Sequence, residues 1–405
     1  MVLKSIIFIG TNKTGSSLEG IKAAKRLGFN VHVLTEKEKF LTQKEDFSEI
    51  DEFHLVDLKD TEKIIETILQ IHSKQSITCI ISFLDSFVHL AATLSNEFCQ
   101  TNLSIDSMRI MEDKLLTRQF LHGKPYSPMY FIFKKNDTIP NLLKQARGKF
   151  PLIVKLPQSC GSKDVFLVTS ERQLWYRIKN IQKKTPETDI LIEEYLDGPQ
   201  VIVEAIVHKG NINIAAIIEQ KITKSERFIV TGYSISSELD PVSYNSLMSV
   251  SHEIIRDLGL VNGNCHLELR CVSENWKLIE ANPRISGGVM NNLIKEAYGI
   301  DYAEQIIKVY LGSEPVLTRD REDTVCAHFM TVDSAGELIK VTGRNQASNV
   351  PGVVEVFIKP KKGDFLMPPL SMGNRCGYVL AKCSSKAETE TIALDAASLI
   401  KFHIK

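Results

Sequence analysis

Short apolar runs and amphipathic stretches alternate along the first hundred residues of the chain. The runs resemble buried strands, and the stretches between them place apolar residues at helical spacing. Strands that alternate with helices imply a parallel sheet with right-handed crossovers. Residues 1–104 are therefore predicted to form a Rossmann-like parallel α/β domain. Its predicted elements are strand Ser5–Gly10, helix Leu18–Leu27, strands Val31–Leu34 and Glu52–Val56, helix Thr61–Ser73, strand Ile77–Phe83 and helix Ser86–Glu97.

The loop after the first predicted strand carries Gly10 and Gly15 at the spacing of a phosphate-binding loop. Ser16 stands where that motif needs its lysine, and the chain contains no G-x-G-x-x-G sequence. We therefore expect a scaffold loop or a loop on the substrate side of a site, and not the main nucleotide site.

Residues 105–122 are predicted to form one amphipathic helix. Apolar residues recur there at helical spacing from Ile105 to Leu115. Gly123 and Pro125 are residue types that end a helix.

A small α+β unit is predicted next, over residues 129–196. Lys155 closes the apolar run Phe150–Lys155, and a lysine in such a run is uncommon unless an anion pairs with it. Residues 157–163 are small and polar, and backbone N–H groups of such a loop can cover phosphates. The remaining predicted elements are strand Val165–Thr169, helix Glu171–Ile181 and strand Ile190–Tyr195.

Two short β-like runs, His266–Cys271 and Trp276–Ala281, are joined by a polar turn and predict a hairpin. Alternate residues of a strand share a face, so Glu268 and Glu280 can lie opposite each other and point the same way. Asn282 falls on the face of Glu280. Two carboxylates and an amide oxygen suit Mg²⁺ shared with phosphate groups. An ordinary amphipathic hairpin with a solvated acidic edge is the alternative that these residues alone leave open.

Arg284 lies two residues beyond Asn282, and Ser286-Gly287-Gly288 then lets the backbone approach a ligand closely. An arginine at this position can stabilise negative charge that develops on a reacting carbonyl or phosphoryl group. The rest of the chain predicts paired strands Val201–Val207 and Asn213–Glu219, helices Tyr244–Leu258, Val289–Tyr298 and Tyr302–Leu311, strands Cys326–Val332, Glu337–Val341, Val353–Ile358 and Gly377–Lys382, and helix Ala387–Phe402.

Composition narrows the class of protein without identifying it. The 405 residues are 43% apolar and 24% charged with net charge +0, which favours neither nucleic acid nor an anionic membrane. We see no apolar run of about 20 residues, as a transmembrane helix would need, and no secretory cleavage site near the start. Eight scattered cysteines without a C-x-x-C pair argue against a zinc site or a disulfide framework and are typical of the cytoplasm.

Five segments resemble, in the same order, those of the ATP-grasp superfamily of ATP-dependent carboxylate–amine ligases. The clearest are residues 267–269, Leu-Glu-Leu, and residues 279–288, Ile-Glu-Ala-Asn-Pro-Arg-Ile-Ser-Gly-Gly. Within the superfamily, the chain is most similar to the L-amino-acid ligases of the bacilysin type. The other matching segments are the helix with Asp113-Lys114, the Lys155 strand with its glycine loop, the hinge segment Leu191–Gly198 and the substrate segment Phe228–Ile235.

The resemblance implies a role for each matching residue. Expected contacts of ATP, the co-substrate, are Lys114, Lys155, Ser159, Gly161, Ser162, Glu193, Tyr195, Leu196 and Gln200. Expected ligands of Mg²⁺, with Mn²⁺ as the alternative ion, are Glu268, Glu280 and Asn282. Arg284 would be catalytic, and Tyr233, Gly287 and Gly288 would face the substrate.

The chain departs from the family pattern at two positions. Gln200 stands where the family usually has the glutamate that binds the ribose hydroxyls, and Glu204 is an alternative ribose contact. Val230 stands where an acidic residue commonly holds the amino group of the first substrate. Whether the acyl donor presents an ordinary α-ammonium group is therefore open.

The resemblance implies an ATP-grasp fold of mixed α/β and α+β type. The expected units are the N-terminal domain 1–104, an ATP-grasp domain 105–318 with a nucleotide lid at about 123–196, and a C-terminal α+β subdomain 319–405. The implied partners are small-molecule amino acids, with neither nucleic acid nor membrane. A homodimer is compatible with this interpretation.

The function that follows is ATP-dependent amide formation, as a dipeptide from L-amino acids, through an acyl phosphate and with release of ADP and phosphate. Two alternatives stay open. One is ligation of an amino acid to a non-amino-acid amine or a carrier-bound group in antibiotic or other natural-product biosynthesis. The other is a regulatory protein that binds ATP without turnover.

Overall fold

A computed structural model describes residues 4–157, 161, 163–224, 228–236 and 238–405. Its N-terminal part is a four-stranded parallel sheet in the order β3-β2-β1-β4, which confirms the predicted α/β arrangement. The strands are β1 (Lys4–Ile9), β2 (Asn30–Thr35), β3 (Glu52–Leu55) and β4 (Ser76–Ile81). The helices are α1 (Ser16–Arg26), α2 (Glu38–Thr42), α3 (Thr61–His72) and α4 (Val88–Cys99).

The single helix predicted over residues 105–122 is wrong, because the chain forms two helices, α5 (Ile105–Glu112) and α6 (Lys114–Phe120). Asp113 lies between them in an extended conformation. Its carboxylate accepts the N–H groups of Leu115 at 2.7 Å and Leu116 at 3.1 Å. An aspartate that caps a helix in this way competes with helix continuation. Lys114 therefore opens α6.

The predicted lid is a separate four-stranded antiparallel sheet in the order β5-β8-β6-β7, covered by two helices. Leu174, Ile178 and Ile181 lie on one face of the second helix and are buried against this sheet, as helical spacing requires. The elements are β5 (Tyr130–Phe133), α7 (Ile139–Ala146), β6 (Leu152–Lys155), β7 (Val165–Val168), α8 (Glu171–Lys184) and β8 (Ile190–Glu194).

An eight-stranded sheet joins the middle of the chain to its C-terminal part, in the order β13-β12-β9-β10-β11-β14-β18-β16. The predicted hairpin, β12 with β13, forms one edge, and strands from beyond residue 318 form the other. The strands are β9 (Gln200–His208), β10 (Asn211–Lys224), β11 (Phe228–Ile235), β12 (Gly263–Val272), β13 (Asn275–Asn282), β14 (Thr324–Met330), β16 (Val353–Ile358) and β18 (Gly377–Cys383). The helices that accompany them are α9 (Pro241–Asp257), α10 (Met290–Tyr298), α11 (Tyr302–Tyr310), α12 (Arg344–Ser348) and α13 (Lys386–Ser398).

A small sheet of β15 (Gly336–Thr342), β17 (Phe365–Leu366) and β19 (Lys401–Ile404) completes the C-terminal part. The helix predicted to reach Phe402 is too long, because α13 ends at Ser398 and Phe402 pairs with Val341 of β15. Within the described residues, no helix combines the length and apolar character that crossing a bilayer would need.

One large core unites the N-terminal sheet with the central sheet. Ile6 and Phe8 of β1 belong to the same buried apolar cluster as Ile294 of α10 and Tyr302 of α11. Apolar burial on this scale favours one fixed arrangement of the two parts. The loops at the carboxyl ends of the N-terminal strands are thereby held beside the end of the hairpin.

We expect Asp113→Ala to lower the free energy of unfolding by about 1 kcal/mol, because two N–H groups at the start of α6 lose their acceptor. Denaturant unfolding followed by circular dichroism measures this change. Asp113→Asn is the matched control, since asparagine also caps helices and should retain most of the stability. Equal loss in both variants would contradict the capping role.

Candidate functional site

A cavity of about 1860 Å³ lies where the N-terminal loops, the hairpin end and the C-terminal part meet. Of the residues predicted for the site, those that line it are Lys114, Gly161, Tyr233, Glu268, Glu280, Asn282, Arg284, Gly287 and Gly288. Those described but not lining it are Lys155, Glu193, Tyr195, Leu196 and Gln200. Ser159 and Ser162 lie outside the described residues. The individual roles given to all these residues stay predictions.

Glu268 and Glu280 lie directly opposite each other on β12 and β13, which confirms the predicted register. Lys114 brings its ammonium nitrogen to 3.0 Å from Oε1 of Glu280. Burial and the neighbouring Glu280 raise the pKa of Glu268. Burial would also raise the pKa of Glu280, but Lys114 and Lys155 lower it below its usual range. Two half-buried carboxylates that repel each other form a site that a further cation would stabilise.

His266 fixes the orientation of Asn282. Nδ1 of the ring is 2.7 Å from the carbonyl oxygen of Arg284, and Nε2 is 3.1 Å from Nδ2 of Asn282. The carbonyl can only accept, so Nδ1 carries the proton. Burial lowers the pKa of His266 to about 4, so the ring is neutral and Nε2 accepts from the Asn282 amide. Oδ1 of Asn282 is therefore available as an oxygen ligand.

Arg284 forms an ion pair with Asp85, which follows β4 in the N-terminal domain. Its Nη1 also donates to the carbonyl oxygen of Ile285 at 2.7 Å. Burial would lower the pKa of Arg284, but Asp85 raises it, so the guanidinium stays charged. Sequence analysis missed Asp85. Its position after a parallel strand was the available signal, because ligands bind beyond the carboxyl ends of such strands.

A buried ion-pair cluster lies behind the hairpin. Glu193 accepts from Arg118 and from Lys155, whose Nζ is 2.5 Å from Oε2. Arg118 also donates to the carbonyl oxygens of Leu278 at 2.9 Å and Ile279 at 2.6 Å. Burial would raise the pKa of Glu193, but the two cations keep it low, and burial lowers the pKa of Lys155. Glu193, which was expected to contact ATP, is thus paired with two cations.

Gln200 is buried within a network of polar side chains. Its Nε2 donates to Gln220 at 2.6 Å and to Glu268 at 3.1 Å, while its Oε1 accepts from Arg270. Arg270 also donates to the carbonyl oxygen of Leu196 at 2.7 Å. The amide that replaces the expected glutamate therefore links the hinge residue Leu196 to the carboxylate of Glu268.

The expectation that Glu204 could contact a ribose is wrong. Its side chain is fully buried and accepts the backbone N–H of Ser286 at 2.8 Å. Burial raises the pKa of this carboxyl to about 8. Glu204 therefore supports the loop after Arg284 from beneath and does not reach the cavity.

Two further contacts join described residues of the lid to other parts of the chain. The ring of Tyr195 stacks on Phe228 with centroids 6.1 Å apart. The carbonyl oxygen of Gly161 accepts the N–H of Met372 at 3.3 Å. Gly161 thus meets the C-terminal part beside the cavity, which it lines.

On the predicted substrate side of the cavity, the backbones of two glycine-containing loops pack closely against each other. Gly15 and Gly288 both have positive φ angles, of 82° and 79°, and a Cβ on Gly15 would lie 3.3 Å from the Gly288 nitrogen. Ser16 donates to the carbonyl oxygen of Ser286 at 2.7 Å. The loop that lacks the P-loop lysine therefore lies against the glycines that follow Arg284.

A second group of metal-binding residue types lies away from the cavity, on β2 and β3. Nδ1 of His32 is 3.0 Å from Nε2 of His54, and Glu52 Oε2 lies 3.5 Å and 3.8 Å from these two atoms. The other ring nitrogen of His32 is 2.6 Å from the Gln75 amide. Both nitrogens of His32 are satisfied, so hydrogen bonding accounts for this cluster.

Three family models match the chain in order. They describe an ATP-grasp N-terminal domain over residues 21–98, an ATP-grasp domain over 148–292 and an L-amino acid ligase C-terminal domain 2 over 328–405. A solved L-amino acid ligase from Bacillus licheniformis shares the fold, with a TM-score of 0.85 at 20% identity and 100% coverage of both chains. The chain belongs to the ATP-grasp superfamily, and its C-terminal part is of the L-amino acid ligase type.

Similar proteins of known sequence include two enzymes. The ATP-grasp enzyme fsqD of Aspergillus fumigatus is 27% identical over 261 residues, which cover 55% of this chain and 44% of fsqD. Carnosine synthase 1 of Gallus gallus is 24% identical over 336 residues, which cover 78% of this chain and 36% of the synthase. The chain thus spans less than two thirds of the length of these relatives.

We expect the contribution of Glu204 to the free energy of unfolding to fall as pH rises from about 5 to 8. The folded state keeps the proton of Glu204 up to about pH 8, whereas the unfolded state releases it near the ordinary value of 4.5. Stability from this group is thus complete below 4.5 and is lost towards pH 8. Glu204→Gln removes this titration, so the difference between the proteins should change by up to about 1.4 kcal/mol per pH unit.

Denaturant unfolding at several pH values measures the effect. Glu274→Gln, in the exposed turn of the hairpin, controls for the loss of one carboxylate. Identical pH profiles for wild type and Glu204→Gln would show that the Glu204 carboxyl does not stay protonated in the folded state.

Proposed function

We propose that the protein is an ATP-dependent ligase that joins a carboxylate to an amine through an acyl phosphate and releases ADP and phosphate. The observation that carries this proposal is the convergence of Glu268, Glu280, Lys114 and Arg284 on one cavity. A protein that only binds ATP has no need to pair Arg284 with Asp85 at the opposite wall.

The reaction needs no protein nucleophile. A carboxylate oxygen of the donor bonds to the terminal phosphorus of ATP as the bond to ADP breaks, and ADP leaves with the electron pair. The amine nitrogen then bonds to the acyl carbon, and phosphate leaves with the electron pair of the broken C–O bond. The amine proton passes to solvent or phosphate. Catalysis is therefore positioning and charge neutralisation.

The hairpin residues fit a divalent cation. Glu268 and Glu280 are opposed carboxylates enclosed beside each other, and His266 leaves the Asn282 oxygen available. Mg²⁺ held by these three oxygen ligands would neutralise the nucleotide phosphates. Lys114, already directed at Glu280, supplies a further positive charge at the same edge.

Arg284 is the residue we assign to the reacting carbonyl. Asp85 and the Ile285 carbonyl oxygen hold its guanidinium in place, and the Gly287-Gly288 backbone leaves room for a substrate beside it. A fixed cation at the position where an oxyanion develops stabilises the transition state more than the ground state.

The donor's ammonium group would bind on the N-terminal side of the cavity. Val230 provides no charge, and its side chain is buried. Asp85 and Glu112 line the cavity instead, and burial raises the pKa of Glu112 to about 7. A nearby ammonium would favour the ionised form of Glu112. We therefore propose an L-amino acid as the acyl donor. The proposed product is a dipeptide. We also propose that the protein is cytoplasmic.

Release of ADP across the proteinogenic L-amino acids, singly and in pairs, tests the function directly. Ligation predicts release that requires a donor and an amine together, with a product whose mass equals the two substrates minus water. A product containing a non-amino-acid amine would instead support the second enzymatic alternative. ATP binding without ADP release under any combination would support a regulatory protein and overturn the proposal.

We expect Arg284→Ala to lower the ligation rate by about 10²–10³-fold, because one donor to the developing oxyanion is lost. The rate of ADP release with saturating substrates measures the loss. Lys13→Ala is the matched control, since it removes a lysine from the cavity rim where Lys13 pairs with Asp46. Near-wild-type ligation by Arg284→Ala would contradict the role of Arg284.

A further inference from the structure

Arg375 lies on the C-terminal wall of the cavity, just before β18. Its guanidinium carbon is 3.7 Å from the centroid of the Phe329 ring. Nη1 donates to the carbonyl oxygen of Val230 at 3.3 Å, and Nε donates to that of Met372 at 3.2 Å. The Tyr233 hydroxyl also contacts this side chain. These four neighbours fix the plane of the guanidinium.

The described partners of Arg375 are neutral, unlike the carboxylate partners of Lys114, Lys155 and Arg284. Its described contacts are two carbonyl oxygens, a hydroxyl and an aromatic ring, all of them neutral. Within the described part of the chain, no carboxylate forms an ion pair with it. A half-buried cation with neutral partners remains able to bind an anion strongly. Three other cations around the site are each paired with a carboxylate: Lys114 with Glu280, Lys155 with Glu193, and Arg284 with Asp85.

The remaining nitrogen of Arg375 faces the reaction loop. A Cβ built on Gly288 would lie 3.9 Å from Nη2, with Arg375 the sole neighbour within 4 Å. Gly288 is four residues beyond Arg284. A substrate that occupies the space beside the glycines would therefore meet Arg375 on one side while its reacting group is near Arg284.

We propose that Arg375 binds the carboxylate of the acceptor amino acid. This inference rests on the proposed ligase function and assigns the residue that recognises its second substrate. The donor's carboxylate is consumed in forming the acyl phosphate, whereas the acceptor's carboxylate persists through the reaction. The planar fork of an arginine matches a carboxylate with two parallel hydrogen bonds.

Hydroxylamine, used in place of the acceptor amino acid, distinguishes recognition of the acceptor's carboxylate from formation of the acyl phosphate. It attacks an acyl phosphate to give a hydroxamate, with C–N bond formation and loss of phosphate, and it carries no carboxylate. Arg375→Ala should raise KM for the amino-acid acceptor by about 10- to 100-fold, as expected for losing a charge-assisted hydrogen bond. Hydroxamate formation from the same donor should fall much less. Arg375→Lys should be intermediate, because lysine keeps the charge without the fork.

The carboxamide of each acceptor amino acid is the matched control substrate, because it lacks only the negative charge of the carboxylate. Wild type should prefer each accepted amino acid over its carboxamide, and Arg375→Ala should lose that preference. Lys361→Ala, at an exposed lysine on the same wall, controls for net charge and should behave as wild type.

Two results would overturn the inference. One is an equal fall in hydroxamate and dipeptide formation, which would place Arg375 on the donor or the phosphate. The other is an unchanged preference for the acid over the amide. Absence of hydroxamate from wild type with any proteinogenic L-amino acid would instead overturn the proposed ligase function itself.

Discussion

The site depends on two half-buried carboxylates that face each other, since like charges held close together are stable only beside cations. Glu268 and Glu280 occupy opposed positions of one hairpin, so the fold itself brings the negative charges together. The first helical residue after the Asp113 cap, Lys114, approaches from one side. Lys155 lies behind the hairpin, and its ammonium group also approaches the carbonyl oxygen of Ile279 at 3.4 Å. The proposed divalent cation would further offset the repulsion between Glu268 and Glu280.

This balance involves segments that are distant along the chain. The N-terminal domain contributes Asp85, whose ion pair with Arg284 spans 199 residues. The C-terminal part contributes Arg375, whose hydrogen bond to Val230 spans 145 residues. The shared core of β1, α10 and α11 is what holds these walls in register. The cavity is lined by residues from several segments. A shift of the N-terminal domain or the C-terminal part relative to the hairpin would therefore separate these charged side chains.

The features that could be predicted from sequence are those with a local cause. The hairpin register follows from alternation of period two, and the same rule could have found His266, two residues before Glu268. The break at Asp113 was missed because apolar spacing continues across it from Met111 to Leu115. Partners such as Arg118 and Glu193, 75 residues apart, have no local signature. Burial of Glu204 was hidden too, because one carboxylate in an apolar strand reads as exposed until the opposite layer is known.

One departure from the family pattern acquires a physical meaning in the fold. At Val230 the resemblance leads one to expect an acidic side chain, yet the structure directs that side chain into the core and uses the backbone carbonyl to hold Arg375. This corner of the cavity therefore presents positive charge where the pattern presents negative charge. Two of the carboxyl groups that line the cavity, Asp85 and Glu112, lie on the N-terminal wall. Separated in this way, the two walls would favour an ammonium group at one end and a carboxylate at the other. An α-amino acid donor and an α-amino acid acceptor, joined at Arg284, would present charges in that order.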